Sequence, residues 1–173
     1  MAPHILVVGG TGMLSGLVEA LAGDGGRLSL LSRNASRIAR DGVAGYDVDY
    51  HDEAAFVAAL DKAGPVDLAV AWFHTLKISA PRRLAERVEG RLFQVLGSAT
   101  GDPSRPDRLQ TAAAMAEGLL NCARRQVILG FQVEGGRSRW LTDAEISRGV
   151  LEAVRTDAAI SVVGQVEPWS ARP

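Results

Sequence analysis

Residues 7–16 read VVGGTGMLSG and place four glycines between a short apolar run and a segment of helical period. A glycine at the end of a strand permits a tight turn, and Gly12 would let the backbone approach a pyrophosphate closely. The helix that follows offers unpaired amides and a positive partial charge at its N-terminus. Because the motif follows a strand and opens a helix, it predicts a dinucleotide-binding loop. A purely structural turn is the alternative.

The rest of the chain alternates apolar runs rich in Val, Ile and Leu with longer stretches of helical period. This alternation is typical of strand–helix units around a parallel sheet, whose strands are covered on both faces. The predicted strands are residues 4–8, 27–31, 44–48, 66–71, 91–96, 126–133 and, more weakly, 160–163. The predicted helices are residues 12–22, 35–40, 53–63, 81–90, 107–123 and 143–155. The expected fold class is α/β, a Rossmann-like doubly wound sheet of six or seven mainly parallel strands with helices on both faces, in three layers.

Side chains at two helix starts support these assignments. Asp52 is placed to cap the third helix, and Thr142 with Glu145 makes a capping box at the start of the last helix. The tail, residues 167–173, has no predicted element. Residues 135–142 read GGRSRWLT and allow two interpretations. Arg139 and Trp140 could clamp and stack on a ligand, or the segment could form a hairpin-like turn.

Composition excludes several classes of protein. The 173 residues are 47% hydrophobic, and their length predicts a single domain over residues 1–173. A formal net charge of −1 gives no positive field for nucleic acid or an anionic membrane surface. One cysteine, Cys122, predicts no disulfide and no zinc site, so no metal is expected. The N-terminal apolar run is too short for a signal peptide or a membrane helix, which predicts a cytoplasmic protein.

The glycine-rich loop resembles that of the short-chain dehydrogenase/reductase superfamily, in particular its extended and atypical members, which read Gly-Gly-Thr-Gly-x-x-Gly. The last glycine of this pattern falls on Ser15, with Gly16 one place later. The matching positions are Gly9, Gly10, Thr11 and Gly12. The resemblance implies an NAD(P)-binding domain whose loop contacts the cofactor through these positions and the next two, Met13 and Leu14.

The turn after the second strand predicts which dinucleotide binds. Such folds use an acidic residue here for a free ribose hydroxyl and an arginine for a 2′-phosphate. This chain has Ser32, Arg33 and Asn34, with no acidic residue, and Arg37 follows one helical turn later. A planar guanidinium matches phosphate geometry with paired hydrogen bonds. We therefore expect NADP (NADPH) to be favoured over NAD. The alternative is a solvated helix start.

Two further turns lie where the resemblance implies cofactor contacts. Asp49 follows the third strand at the acidic position that meets the adenine amino group in the family, and Tyr50 lies beside it. A cap on the next helix is an equal alternative for Asp49. Ala71 and Trp72 end the fourth strand, where the family's backbone passes the ribose on the nicotinamide side. Trp72 could equally belong to the core.

The usual catalytic residues of the superfamily are incomplete. They are a Ser after the fifth strand and a Tyr and a Lys, four residues apart, on the following helix. Ser98 matches the first position, but neither tyrosine and neither lysine of the chain has the required spacing. The missing pair does not exclude hydride transfer, because the cofactor carries that chemistry. Atypical members that resemble biliverdin and flavin reductases work without the pair.

Ser98 and His74 are the candidate catalytic residues, since they follow neighbouring strands at the carboxyl edge of the sheet. Histidine suits proton transfer near neutral pH, although a structural role is the alternative for both residues. The sequence thus predicts an NADP-dependent oxidoreductase that transfers hydride to a small or planar acceptor of unknown identity. A non-catalytic NADP-binding redox sensor or regulatory protein is the alternative. The chain stops early compared with full-length superfamily enzymes, so the pocket is expected to be small, open or completed by a second copy in a homo-oligomer.

Overall fold

The computed structural model describes residues 2–108 and 122–173. Its strands, in chain order, are β1 (His4–Val8), β2 (Arg27–Ser32), β3 (Val43–Asp47), β4 (Val66–Trp72), β5 (Val88–Leu96), β6 (Ala123–Leu129), β7 (Phe131–Glu134), β8 (Arg137–Trp140) and β9 (Ile160–Val163). The α-helices within the described residues are α1 (Ser15–Gly23), α2 (Glu53–Ala63), α3 (Ala80–Ala85) and α4 (Asp143–Thr156). Short 3-10 helices cover Ala35–Ile38, Ser98–Gly101 and Trp169–Ala171.

Seven strands form one sheet in the order β3-β2-β1-β4-β5-β6-β9, and every neighbouring pair is parallel. The chain winds outward from β1 to β3 and then returns to place β4 on the other side of β1. Ligands of such sheets bind where the winding reverses, at the carboxyl ends of the strands. The fold therefore indicates that a ligand site would lie at the segments that follow β1 and β4.

Helices cover both faces of the sheet and bury two separate apolar layers. On one face α1 and α4 pack on the sheet through side chains that include Leu17, Val18 and Val150. On the other face α2 and α3 do so through Phe56 and Leu84, among others. The predicted three-layer α/β fold is confirmed. Within the described residues, no helix combines the length and the apolar character needed to span a membrane.

One predicted strand is wrong. Residues 126–133 do not form a single strand, because β6 ends at Leu129 and β7 begins at Phe131 as half of an antiparallel hairpin with β8. At Gly130 the backbone of Gln165 crosses so closely that any side chain would overlap its carbonyl oxygen. Apolar residues flank this break on both sides, so hydrophobic pattern alone could not reveal it. The hairpin predicted for residues 135–142 is present, although Trp140 at its end is largely exposed instead of packed at the start of the next helix.

Several predicted helix bounds also need correction. The helix predicted over 81–90 ends at Ala85, because Val88 is fully buried as the first residue of β5. The helix predicted from residue 12 begins at Ser15, and the one predicted over 35–40 is a 3-10 helix. Most of the helix predicted over 107–123 lies outside the described residues, and its last position, Ala123, belongs to β6.

Both predicted helix caps are present. The Asp52 carboxylate accepts a hydrogen bond of 3.0 Å from the Ala55 N–H at the start of α2. At the start of α4 the Thr142 hydroxyl accepts from the Glu145 N–H, and the Glu145 carboxylate accepts from the Thr142 N–H. These bonds satisfy backbone amides that the helices themselves leave unpaired.

Candidate functional site

A cleft of about 480 Å³ opens at the carboxyl edge of the sheet. Its walls come from the segments that follow β1, β2, β3 and β4, and its lining residues are Gly9, Thr11, Gly12, Met13, Ser32, Arg33, Asn34, Val48, Asp49, Tyr50, His51, Trp72 and His74. Four turns that are distant in the sequence thus converge at the point where the winding of the sheet reverses. The structure brings most of the predicted cofactor residues together, along with one of the two predicted catalytic residues.

The glycine loop is shaped by two different requirements. Gly9 has a φ of +81°, which side-chain-bearing residues rarely adopt, and a Cβ there would lie 3.1 Å from the Trp72 carbonyl oxygen. Around Gly12, by contrast, no other segment among residues 2–108 and 122–173 has an atom within 4 Å of the position that a Cβ would take. No contact with these described segments therefore requires a glycine at residue 12. This open space fits the close approach of a pyrophosphate, as the sequence motif predicts.

Two residues of the predicted loop lie in the core instead of the cleft wall. A side chain at Gly10 would overlap Leu30, and Leu14 is fully buried. Gly16 lies against α4, where a Cβ would come within 3.0 Å of Ser147. The missing side chain at Gly16 therefore lets α1 pack closely against α4. The Ser147 hydroxyl also donates a 2.7 Å hydrogen bond to the Met13 carbonyl, so α4 holds the loop in place.

The turn after β2 presents a guanidinium to the cleft. Arg33 is exposed, and within residues 2–108 and 122–173 it has no hydrogen-bond or ion-pair partner. The turn itself is held from β3, where the Asp47 carboxylate accepts hydrogen bonds of 2.8 and 2.6 Å from the Ser36 N–H and hydroxyl. These bonds lower the pKa of Asp47. The backbone that carries Arg33 is thus fixed while its side chain stays available.

The turn after β3 adds a residue that the sequence analysis missed. The Asp49 carboxylate accepts a 2.9 Å hydrogen bond from the His51 N–H, and the same oxygen lies 2.9 Å from Nδ1 of the ring. These contacts, led by the backbone bond, lower the pKa of Asp49. Aspartate commonly accepts from the amide two residues later, and that habit could have pointed to His51. The cap of α2 is Asp52, which leaves Asp49 facing the cleft.

Aromatic side chains form the wall beyond β4. The Tyr50 hydroxyl accepts a 3.2 Å hydrogen bond from the His74 N–H, and the Tyr50 ring packs edge-on against Phe73 with centroids 5.1 Å apart. The rings of Trp72 and His74 also meet edge-on, at 5.6 Å. Within the described residues the His74 imidazole has no hydrogen-bond partner. His74 therefore lies at the cleft with its backbone fixed and its ring nitrogens available.

Three further predicted site residues, besides Gly10 and Leu14, lie outside the cleft lining. Ala71 is buried in β4, and Arg37 projects into solvent from the 3-10 helix after β2. Ser98 is buried at the end of β5, where its hydroxyl accepts a 3.1 Å hydrogen bond from Nε of Arg172. The preceding residue is Gly97, and a Cβ built there would lie 3.7 Å from the Trp72 ring. The structure thus separates the two predicted catalytic residues, with His74 in the cleft and Ser98 beside it.

Solved structures of other proteins share this arrangement of strands. The chain is similar to a short-chain dehydrogenase from Burkholderia cenocepacia J2315 in complex with NADP, with a TM-score of 0.73 and 16% identity over 95% of this chain and 89% of that chain. It is similar to an anaerobilin reductase from Escherichia coli O157:H7, with a TM-score of 0.65 and 18% identity over 95% and 97% of the two chains. An alcohol dehydrogenase from Thermococcus sibiricus, complexed with 5-hydroxy-NADP, gives a TM-score of 0.65 and 14% identity over 94% and 95%.

The chain has the Rossmann fold of short-chain dehydrogenases. The resemblance drawn from the glycine loop is confirmed at the level of the fold. No protein-family model and no curated protein matches the sequence. At these sequence identities the likeness establishes the architecture alone. The chemistry of this chain depends on the groups that line its own cleft.

Proposed function

We propose that this protein is an NADP(H)-dependent oxidoreductase that reduces a small or planar acceptor without a Tyr–Lys catalytic pair. The observation that carries the proposal is the presence, in one cleft, of two features: the space beside Gly12 that the described residues leave open, and the guanidinium of Arg33, which has no hydrogen-bond or ion-pair partner among those residues. The first suits a pyrophosphate and the second suits a phosphate on the adenosine ribose. The similar structures from Burkholderia cenocepacia and Thermococcus sibiricus, which hold NADP and 5-hydroxy-NADP, support the same assignment.

Each part of the cleft has a role in this proposal. The loop amides ahead of α1 bind the pyrophosphate, and Arg33, flanked by Ser32 and Asn34, binds the 2′-phosphate. On the adenine side Asp49 accepts from the base amino group. Its carboxylate is suited to accepting, because the bonds from His51 stabilise the ionised form. The Trp72 end of the cleft, beside Ala71, holds the nicotinamide ribose.

The chemistry needs only a positioned acceptor and a source of one proton. The nicotinamide, when bound, supplies a hydride with its electron pair to an electron-poor atom of the acceptor. His74 then donates a proton to the neighbouring atom, so that the acceptor gains two hydrogens in total. The Tyr50 hydroxyl keeps the His74 backbone in place for this transfer.

A non-catalytic NADP(H)-binding sensor is the second candidate function. The observation in its favour is that Ser98, the one position matching the usual catalytic set, is buried and engaged by Arg172. A sensor and an enzyme would bind the cofactor through the same groups. They differ only in whether an acceptor is reduced.

The test is consumption of NADPH in the presence of quinones, free flavins and simple aldehydes. We expect turnover with at least one acceptor class, and a fall of about 100-fold in kcat for His74→Ala, within the range typical of a lost general acid. The control is Lys77→Ala, which removes an exposed side chain from the same loop and should leave kcat unchanged. Tight NADPH binding without consumption would favour the sensor. Equal kcat in His74→Ala and Lys77→Ala would remove His74 from the mechanism.

A further inference from the structure

A second arginine, Arg172, lies over two indole rings and beside Ser98. The guanidinium carbon of Arg172 lies 4.9 Å from the ring centroid of Trp140 and 5.2 Å from that of Trp169. Its Nε donates to the Ser98 hydroxyl at 3.1 Å. We refer to Trp140, Trp169 and Arg172 as the arginine clamp. Stacking of this kind restrains a guanidinium without neutralising it, because an aromatic face is a weak partner compared with a carboxylate.

The hairpin fixes one side of the clamp. Trp140 ends β8, opposite Phe131, which is fully buried. Arg139, the residue before Trp140, forms two hydrogen bonds of 2.9 Å with the Glu145 carboxylate at the start of α4. These contacts anchor β8 to β7 on one side and to the start of α4 on the other. The Trp140 ring therefore has a defined position, although it is 47% exposed.

The tail fixes the other side. Phe131 and Gln165 exchange two backbone hydrogen bonds of 2.9 Å, and Val166 packs against Gly101. This route carries the tail past the carboxyl ends of β6 and β5. The 3-10 helix Trp169–Ala171 follows, and its final turn is closed by a 3.1 Å bond from the Arg172 N–H to the Trp169 carbonyl.

Among the described residues, none pairs with the terminal nitrogens of Arg172. In the described part of the chain, Arg172 has no ion pair, and Nη1 and Nη2 make no hydrogen bond. Arg139, the residue before Trp140, is by contrast paired with two carboxylates, those of Glu134 and Glu145. An oriented guanidinium with two open nitrogens can bind a carboxylate by a pair of parallel hydrogen bonds.

The clamp lies on the acceptor side of the cleft. Ser98, which Arg172 contacts, follows Gly97. A Cβ built at Gly97 would lie 3.7 Å from the Trp72 ring, which lines the cleft beside His74. Arg33 belongs to the opposite side, after β2. We propose that the arginine clamp binds a carboxylate of a planar acceptor, with the exposed Trp140 ring in contact with the acceptor's flat body. This assignment rests on the proposed function in one respect, because it takes the bound carboxylic acid to be the acceptor that is reduced.

The experiment is a calorimetric titration of the full chain, with and without NADP⁺, using 2-naphthoate and its neutral analogue 2-naphthamide as probes. We expect the carboxylate to bind the unmodified protein at least about tenfold more tightly than the amide, which corresponds to one charge-assisted interaction. Arg172→Gln should abolish that preference. Arg155→Gln, which removes an exposed arginine from the end of α4, should retain it.

Equal preference for the carboxylate in Arg172→Gln and the unmodified protein would overturn the assignment, as would failure of 2-naphthoate to bind at all. Arg172→Lys keeps the positive charge but loses the planar fork, so its preference should fall between those of the other two proteins. Failure of the proposed function gives a different result. Carboxylate binding that depends on Arg172, in a protein with no affinity for NADPH, would support the clamp and exclude the cofactor proposal.

Discussion

The two sides of the cleft are built differently, although both present an arginine. On the side where we propose that adenosine binds, here called the adenosine side, Arg33 and Asp49 lie in short turns directly after their strands, so sequence position and spatial position coincide. On the acceptor side, Ser98, Trp140 and Arg172 come from three distant segments. The first side depends on the sheet and on hydrogen bonds between segments that are close in sequence, such as those from Ser36 to Asp47. The second side depends on contacts between the β7–β8 hairpin and the C-terminal tail, and no periodic sequence pattern predicts those contacts.

The largest effect should come from the position that the protein leaves unfilled. Gly12→Glu should weaken NADPH binding by at least about 100-fold, equivalent to about 2.8 kcal/mol, because the side chain and its charge would occupy the pyrophosphate site. The stability of the protein without cofactor should hardly change, since no other segment in the described part of the chain has an atom within 4 Å of the new Cβ. Gly23→Glu, at a similarly open position at the end of α1, is the control. Unchanged NADPH affinity in Gly12→Glu would show that the cofactor does not approach this loop.

The next effect separates the two arginines. Arg33→Ala should lower NADPH affinity by about 10- to 100-fold, the loss expected for hydrogen bonds to a charged group, while NADH affinity stays the same. Arg172→Gln should leave both cofactor affinities unchanged. Dissociation constants for the two cofactors and the three proteins test this division directly. An equal loss of NADH and NADPH in Arg33→Ala would mean that Arg33 holds the turn and does not read the phosphate.

A smaller effect should come from the cap of α4, the helix that anchors the hairpin on the acceptor side. Thr142→Ala removes the cap of α4 and should lower the free energy of unfolding by about 1 kcal/mol, or about 2–4 °C in Tm for a protein of this size. Thr156→Ala, at the other end of the same helix, is the matched control. The affinity for NADPH should stay unchanged even though Thr142→Ala lowers the free energy of unfolding. A thermal melt in which both variants behave alike would show that the cap adds nothing measurable.

The smallest effect is a pH dependence of the same anchor. Hydrogen bonds from Arg139 and then from Thr142 lower the pKa of Glu145 from 4.5 to about 2. Because the folded pKa is below the unfolded one, this stabilisation is present above about pH 4.5 and is lost as the pH falls toward 2. Glu145→Gln should therefore reduce the slope of Tm against pH in that interval. An unchanged slope would contradict the assigned role of Glu145.

The sequence predicts the adenosine side well for a physical reason. A buried strand, a glycine turn and a helix start are local features, and the turns after β1, β2 and β3 lie where the pattern puts them. His51 is the exception, although an aspartate two residues before it is a local signal. The helix caps at Asp52 and Thr142 are local in the same sense.

The acceptor side could not be predicted because its contacts join residues far apart in the chain. The break at Gly130 depends on the crossing of Gln165, and the environment of Ser98 depends on Arg172, 74 residues later. No periodicity reports such pairs. Ser98 matched a family position, yet only the fold shows that its hydroxyl is already engaged.

The most direct test of the central claim is thermal unfolding of the unmodified protein with NADPH, with NADH and without ligand. A ligand that binds only the folded state stabilises it by about 2.7 kcal/mol at a concentration 100 times its Kd. We predict that NADPH raises Tm more than NADH does at equal concentration, because only NADPH carries the phosphate that Arg33 would bind. No increase with either cofactor would contradict the assignment of the cleft.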